Sequence, residues 1–291
     1  MSELASLVIG GLLTGGLYAL LALPIVIIYK STQVVSVVHG QLFAFAALSF
    51  WFAYQQLPFI PSLLIAIVIT CLLAFVMERF ALRPLIGQPL FSTFLMTFAL
   101  FMFLDGIFQL ILGGRARGIS AIFPGTIQII DVTVSINNLV TFGVAVIIFI
   151  AITLFFRYTK AGLGMRATAE GHQLSQAVGI NVRSIFTISW IVSALLAAFG
   201  GITAAQVVAI HFPLPWLIMT GLVVALVGGL DSIKGAFYAG LILGVLQRLS
   251  AFYIDPLVGG GTAEMIPYVL LLFILLVKPY GLFGLARIER I

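Results

Sequence analysis

Apolar runs of about twenty residues recur along the whole chain, separated by short polar stretches. Nine of them lie near 6–28, 33–54, 58–77, 91–112, 137–156, 185–207, 215–230, 235–252 and 265–278. A helix of that length crosses the hydrocarbon layer of a membrane, whereas a barrel would show short segments of alternating polarity. The pattern predicts an all-α, polytopic membrane bundle of about eight to nine spans. Two segments depart from it. The one at 33–54 opens with Gln33, Ser36, His39 and Gln41, and the one at 215–230 is short and ends in Gly228-Gly229. Broken or re-entrant helices are expected near 33–54 and 215–235.

Composition agrees: 62% of residues are hydrophobic, 8% are charged, and mean hydropathy is +1.25. The 291 residues leave room for one transmembrane domain, 1–291, and no separate soluble one. The N-terminal "MSELASLV" has no basic region ahead of its apolar run, so it reads as a retained first span rather than a cleaved leader. Cys71, the single cysteine, lies inside an apolar run and reads as packing. The pI near 9.6 reflects orientation in a membrane, with no nucleic-acid partner implied. With the 157–184 loop in the cytoplasm and the spans alternating, the inside holds Lys30, Arg79, Arg83, Arg157, Lys160, Arg166, Arg183, Lys234, Lys278, Arg287 and Arg290. The outside holds Arg115, Arg117 and, at a span end, Arg248. The positive-inside rule then puts the N-terminus outside and the C-terminus in the cytoplasm.

Small residues recur every four positions at Gly11, Gly15 and Ala19, at Ser193, Ala197, Gly201 and Ala205, and at Ala236, Gly240 and Gly244. Such faces let helix backbones approach closely in lipid. A faint internal echo links "HGQLFAFAAL" (39–48) to "KGAFYAGLIL" (234–243).

No phosphate-binding Gly-x4-Gly-Lys-[Ser/Thr] run, no His-Glu-x-x-His and no acidic pair at helical spacing within a span occurs, so no catalytic residue and no metal site are expected. The exceptional stretch is "GLGMRATAEGHQLSQAVGI", 162–180, polar and helix-prone between two oily spans. Arg166 to Val178 makes three turns, and Gly179 suits a C-terminal stop. Ala167, Gly171, Leu174 and Ala177 with Val178 fall on one face, opposite Thr168, Glu170, His172, Gln173, Ser175 and Gln176. A face of small residues suits docking into another protein's groove, and a solvated connecting loop would read the same way.

Three places in the spans carry polar groups that suit a translocation path. His39-Gly40-Gln41 allows a helix break, which exposes backbone groups that need polar company. Gly228-Gly229 with Asp231 is the parallel candidate. Asp105 and Gln109 share a helical face, and a carboxylate there turns inward, either to bind a substrate amine or to pair with Arg248. Arg115 and Arg117 lie in an outer loop, suited to a soluble partner or to solvent.

Several stretches together resemble the permeases of branched-chain amino-acid ABC transporters. "KAGLGMRATAEGHQLSQAVGINV" is similar to their cytoplasmic coupling loop, through Gly162, Arg166, Ala167, Glu170, Ala177, Gly179, Ile180 and Asn181. "GGLYALLAL" (15–23), "VVHGQLF" (37–43), "ERFALRPL" (78–85), "ALVGGLDSIKGA" (225–236) and "KPYGLFG" (278–284) resemble further family elements in the same order. The short ending after "GLFG" resembles the H-type of the two permease subunits. The resemblance implies a bacterial inner-membrane subunit with a second permease subunit, two cytoplasmic ATPases and an extracytoplasmic solute-binding protein as partners. ATP and Mg would sit on the ATPases, and this chain would hold no cofactor. Gly162, Arg166, Ala167, Glu170, Gly171, Ala177 and Gly179 would form the ATPase-coupling surface. His39, Gly40, Gln41, Asp105, Gly228, Gly229 and Asp231 would lie along the path.

The sequence departs from the family pattern at Pro24, Val37-Val38, Asp231 and Lys234. The cargo therefore stays open among branched-chain amino acids, other amino acids and amide- or urea-type solutes. Two rivals predict different behaviour. A self-contained secondary transporter or channel needs coupling-ion ligands within the spans, and Asp105 is the one mid-span carboxylate. An intramembrane enzyme needs an acid pair.

Overall fold

The computed structural model describes residues 2–119, 122–129 and 132–284, with the side chains of Ser2, Ile129, His172 and Gln173 outside that set. Arg287 and Arg290, two of the basic residues assigned to the inside, lie outside the described residues. Each of the nine apolar segments holds a helix. They are α1 (Ser2–Thr32), α2 (His39–Tyr54), α3 (Phe59–Met77), α4 (Leu90–Leu112), α5 (Ile136–Tyr158), α8 (Val182–Val208), α9 (Ile218–Gly228), α10 (Ile233–Tyr253) and α12 (Thr262–Val277). Among the described residues, six stretches are long and apolar enough to cross a membrane, whereas α2, α9 and α12 are 16, 11 and 16 residues long. The helix in 33–54 starts only at His39, because Gln33, at φ 61°, turns the chain out of α1. Between α5 and α8 lie α6 (Lys160–Glu170) and α7 (His172–Ala177), and α11 (Asp255–Val258) precedes α12.

A hairpin, β1 (Thr126–Ile129) with β2 (Val132–Ser135), interrupts the helical plan, pairing Thr126 with Ser135 and Ile127 with Val134. The bundle is all-α apart from these two four-residue strands. Their signal in the sequence is the β-branched alternation through Ile127, Val132 and Val134, too short to stand out beside the long apolar runs.

The chain divides into two compact units. The first comprises Met1–Val26, Ala121–Phe149 and Thr220–Ile291. Its spine is a seam of α1 on α10. A Cβ on Gly11 would lie 2.6 Å from the Val245 Cα, one on Gly15 2.7 Å from the Leu241 Cα, and one on Gly240 2.7 Å from the Ala19 nitrogen. Two of the small-residue faces thus pack on each other, backbone to backbone. The hairpin lays Val132 and Val134 on Leu13. The segment after α12 folds over the end of α9, where the Leu282 and Phe283 amides donate to the Val227 and Gly228 carbonyls at 2.8 and 3.0 Å.

The second unit comprises Ile27–Ser120 and Ile150–Met219. Here α2, α3 and α8 pack together. A Cβ on Gly201 of α8 would run into the Phe43 backbone of α2, and one on Gly40 would meet the Pro215 carbonyl and Ile218. The third small-residue face, with Ala197 and Ala205 also buried, is therefore the α8 side of this seam. α3 runs on through a π-helical turn, Glu78–Leu82, and a 3₁₀ turn, Arg83–Leu85. Ile60, Val68 and Leu72 of α3 stay exposed, as acyl chains require of outward faces.

Candidate functional site

The polar segment between α5 and α8 is an elbow rather than the single helix expected over 166–178. α6 stops at Glu170, Gly171 sits in extended backbone at φ 176°, ψ 119°, and α7 restarts at His172. Glycine is a poor helix former, and it stands where the helix ends. Gly171 therefore belongs to no helical face, and the small-residue stripe through Ala167, Gly171, Leu174 and Ala177 does not form. Gly179 does end α7. At φ 85° it places its amide on the Gln176 carbonyl and the Ile180 amide on the Ser175 carbonyl, at 3.0 and 2.9 Å.

α6 faces inward through Gly162, Gly164, Met165 and Thr168. A Cβ on Gly162 would lie 2.6 Å from the Phe155 carbonyl and the Phe156 Cα. The Thr159 hydroxyl accepts from the Gly162 amide at 3.0 Å and caps the helix. Arg166 donates to the Phe156 carbonyl at 2.6 Å, placing a cation at the C-terminal end of α5. Thr168 donates to the Ser31 carbonyl at 3.3 Å, which ties α6 to the last turn of α1. Of the coupling residues, Gly162 and Arg166 thus anchor the elbow, Ala167 is half-buried, and Glu170, Ala177 and Gly179 are exposed. Leu174 and Val178 are 74% and 76% exposed, the apolar outer surface of α7.

A clamp built on the "ERFALRPL" stretch holds the neighbouring connector. Glu78, fully buried, accepts from the Arg83 Nε at 3.0 Å and Nη2 at 3.2 Å. Arg83 Nη2 also donates to the Thr187 hydroxyl of α8 at 2.6 Å, and Thr187 donates to Glu78 at 3.2 Å. The five-residue spacing fits a π-helical turn rather than ordinary i, i+4 pairing, and Thr187 is more than a hundred residues away. Neither feature is visible from spacing alone. Beside the clamp a cavity of about 430 Å³ is lined by Thr32, Leu82, Gly87, Gly171, Leu174 and Trp190. The elbow and the connector border the same space.

The path candidates divide. His39 is fully buried, its Nδ1 3.0 Å from the Ser36 hydroxyl and its Nε2 2.7 Å from that of Ser193, and its ring stacks on Trp190 at 5.0 Å. Both ring nitrogens are occupied, so in this structure His39 locks α2 to α8. Gln41 donates to Asp105 Oδ1 at 2.9 Å, and Gln109 donates to Oδ2 at 2.5 Å. Asp105 thus bonds two amides within its own unit, and Arg248 lies beside Gly10. Gly228 and Gly229 are enclosed. A Cβ on Gly228 would strike Gly235, and Gly229, at φ 102°, packs against Gly284. They seat the 278–284 segment, so two of the sequence motifs close on each other. Asp231, half-buried, follows in that turn. In the loop after α4, Arg117 pairs its backbone with Ile210 and lays its guanidinium over Trp51 at 4.8 Å, while Arg115 is exposed.

A bundle of apolar helices, several of them short or broken, with a polar helical elbow between two spans, defines an integral membrane transport component. The family model described as the permease component of branched-chain amino acid transport systems matches residues 7–275, and the chain belongs to that family. It is the non-catalytic, multi-pass membrane component of an ABC transport system, and ATP is handled by other subunits. The high-affinity branched-chain amino acid transport system permease protein LivH of Salmonella typhimurium is 26% identical, over 97% of this chain and 96% of its own. The corresponding permease protein BraD of Pseudomonas aeruginosa is 25% identical over the same shares. The probable branched-chain amino acid transport permease protein LivH of Methanocaldococcus jannaschii is 27% identical, over 94% and 91%. Among solved structures, PsaBC from Streptococcus pneumoniae, in complex with a Fab, shares the fold with a TM-score of 0.51 at 15% identity, covering 93% of this chain and 91% of that one.

Proposed function

We propose that the chain is a single permease domain that forms half of the translocation path of an ABC importer for a small amino acid. Branched-chain amino acids are the first candidates, and amide- or urea-type solutes are the alternative. The partners are a second permease subunit, two cytoplasmic ATPases and an extracytoplasmic solute-binding protein. The N-terminus is outside, the C-terminus is in the cytoplasm of a bacterial inner membrane, and 157–184 is the coupling segment. Transport is by alternating access. The observation that carries this reading is the two-sidedness of the elbow. Its inner side is fastened to α1, α5 and α8 through Thr168, Arg166 and Gly164, and its outer side leaves Glu170, Leu174, Ala177 and Val178 uncovered. A push on that outer side passes to three spans at once. Arg166, Gly162 and Gly179 act as its fixings, and Ala167 and Gly171 form its joint. Gly40 and Gln41, Asp105 beside them, and the Gly228-Gly229-Asp231 turn are the places where the spans are broken or polar.

The test is a mild-detergent pull-down of the tagged chain from its native membrane. Two ATPases and a second permease should co-purify, and Ala177→Trp, a change on an exposed position, should shed the ATPases while the permease pair stays. A chain that purifies alone and imports solute under an ion gradient would overturn the reading in favour of a secondary transporter.

A further inference from the structure

We infer that Asp105 is a recognition point for the ammonium group of the transported solute, presented on the open side of α4 by Gln41 and Gln109. The inference rests on the importer reading above. Asp105 lies seven residues before the end of α4, about 10 Å inside the apolar run. It is 7% exposed, and both of its side-chain partners are neutral amides. A carboxylate at that depth is costly unless a positive group compensates its charge, which two neutral amides do not. Gln41 adds a second acceptor. The residue is fully buried, its Nε2 is spent on Asp105, and its Oε1 has no partner. A buried orphan acceptor signals a missing donor. An ammonium group, with three N–H donors and a charge, supplies what each of these two acceptors lacks.

Access comes from the next residue. Gly106 is exposed, and nothing lies within 4 Å of the place its Cβ would take. Gln109, one turn on, is exposed as well, at a depth where a polar amide is poorly suited to acyl chains. Phe103 and Leu110 flank them on the open side and offer apolar surface to an aliphatic side chain. The arrangement therefore supplies acceptors for an ammonium, space beside them and an apolar border. A purely structural tie between α2 and α4 would need none of the second or third.

The experiment uses the complete complex purified from membranes, with Cys71→Ser and Gly106→Cys in this chain. The introduced thiol stands in open space, so the fold is kept. A cationic methanethiosulfonate should label it about tenfold faster than an anionic one, and leucine should slow the cationic reaction. Asp105→Asn, which keeps the side-chain size and one of the two acceptors while removing the charge, should abolish both the charge preference and the protection. It should also lower leucine import in proteoliposomes by about tenfold or more, the loss of one charge-assisted bond. Equal labelling by the two reagents, or wild-type import by Asp105→Asn, overturns the inference. A wild-type complex that imports only a neutral solute such as urea would overturn the amino-acid reading instead.

Discussion

The two helix seams, α1 on α10 in one unit and α2 on α8 in the other, use the same device for different ends. Both bring backbones together with small residues spaced four apart. The α1–α10 seam consists of Gly11, Gly15, Ala19, Gly240 and Gly244. The α2–α8 seam has Gly201 on Phe43 but adds His39 between Ser36 and Ser193, stacked on Trp190. Close packing alone sets distance. Polar pairs added to it set register, because a hydrogen bond is lost when one helix slides by a residue. The second seam also belongs to the unit that contains the elbow and the Glu78–Arg83–Thr187 clamp. Structure built for fixed register is thus concentrated where motion from outside would have to be transmitted.

The comparison breaks most sharply at Gly15. Any larger side chain must push the α1 and α10 backbones apart, since its Cβ would sit 2.7 Å from both the Gly240 carbonyl and the Leu241 Cα. Gly15→Leu should cost about 3 kcal/mol or more of apparent stability, read as loss of monodisperse protein in detergent. Gly201→Leu should do the same in the other unit. If either variant purifies normally, the seams are looser than described.

Next in size is the polar element that distinguishes the second seam. His39→Phe keeps a ring on Trp190 and removes two hydrogen bonds, so it should destabilise by about 1–3 kcal/mol in thermal unfolding. Ser193→Ala, removing the hydroxyl that meets the His39 Nε2, should cost about 0.6–1.7 kcal/mol. A negligible cost for both would mean that the ring stack, not the hydroxyls, fixes the register. The same logic gives Thr187→Val about 0.5–1.5 kcal/mol. Its import rate should fall further than its stability if the clamp carries motion to α8.

Much of this is legible in the sequence, and the divisions have physical causes. The three stripes of small residues are seam faces because close approach in lipid leaves few other uses for Gly and Ala at that spacing. The nine apolar runs fall on helices because length and hydropathy leave little choice. What resists reading is non-local. Whether His39 faces a path or a pair of serines depends on Ser193, some 150 residues on. Gly228-Gly229 stands at a helix break, as the sequence suggests, but that the break also seats Gly281 and Gly284 depends on a segment some fifty residues on. The elbow at Gly171 is hidden because Ala167, Leu174 and Ala177 keep helical spacing across it.

The smallest expected effect tests that elbow. At φ 176° the Gly171 backbone is open to any residue, and a Cβ there would touch only Leu174, at 3.5 Å or more. Gly171→Ala should therefore leave stability within about 0.5 kcal/mol. Its effect should appear in the elbow instead. Alanine favours continuous helix over glycine by about 1 kcal/mol, a bias toward joining α6 and α7 that corresponds to roughly a fivefold change in population. Import by the assembled complex should fall by no more than about fivefold, with unfolding temperature unchanged. A larger loss of import would mean that the bend itself, and not only the surface of α7, is what a partner reads. Import fully unchanged would mean that the fixings at Arg166 and Thr168 hold the bend without any need for glycine.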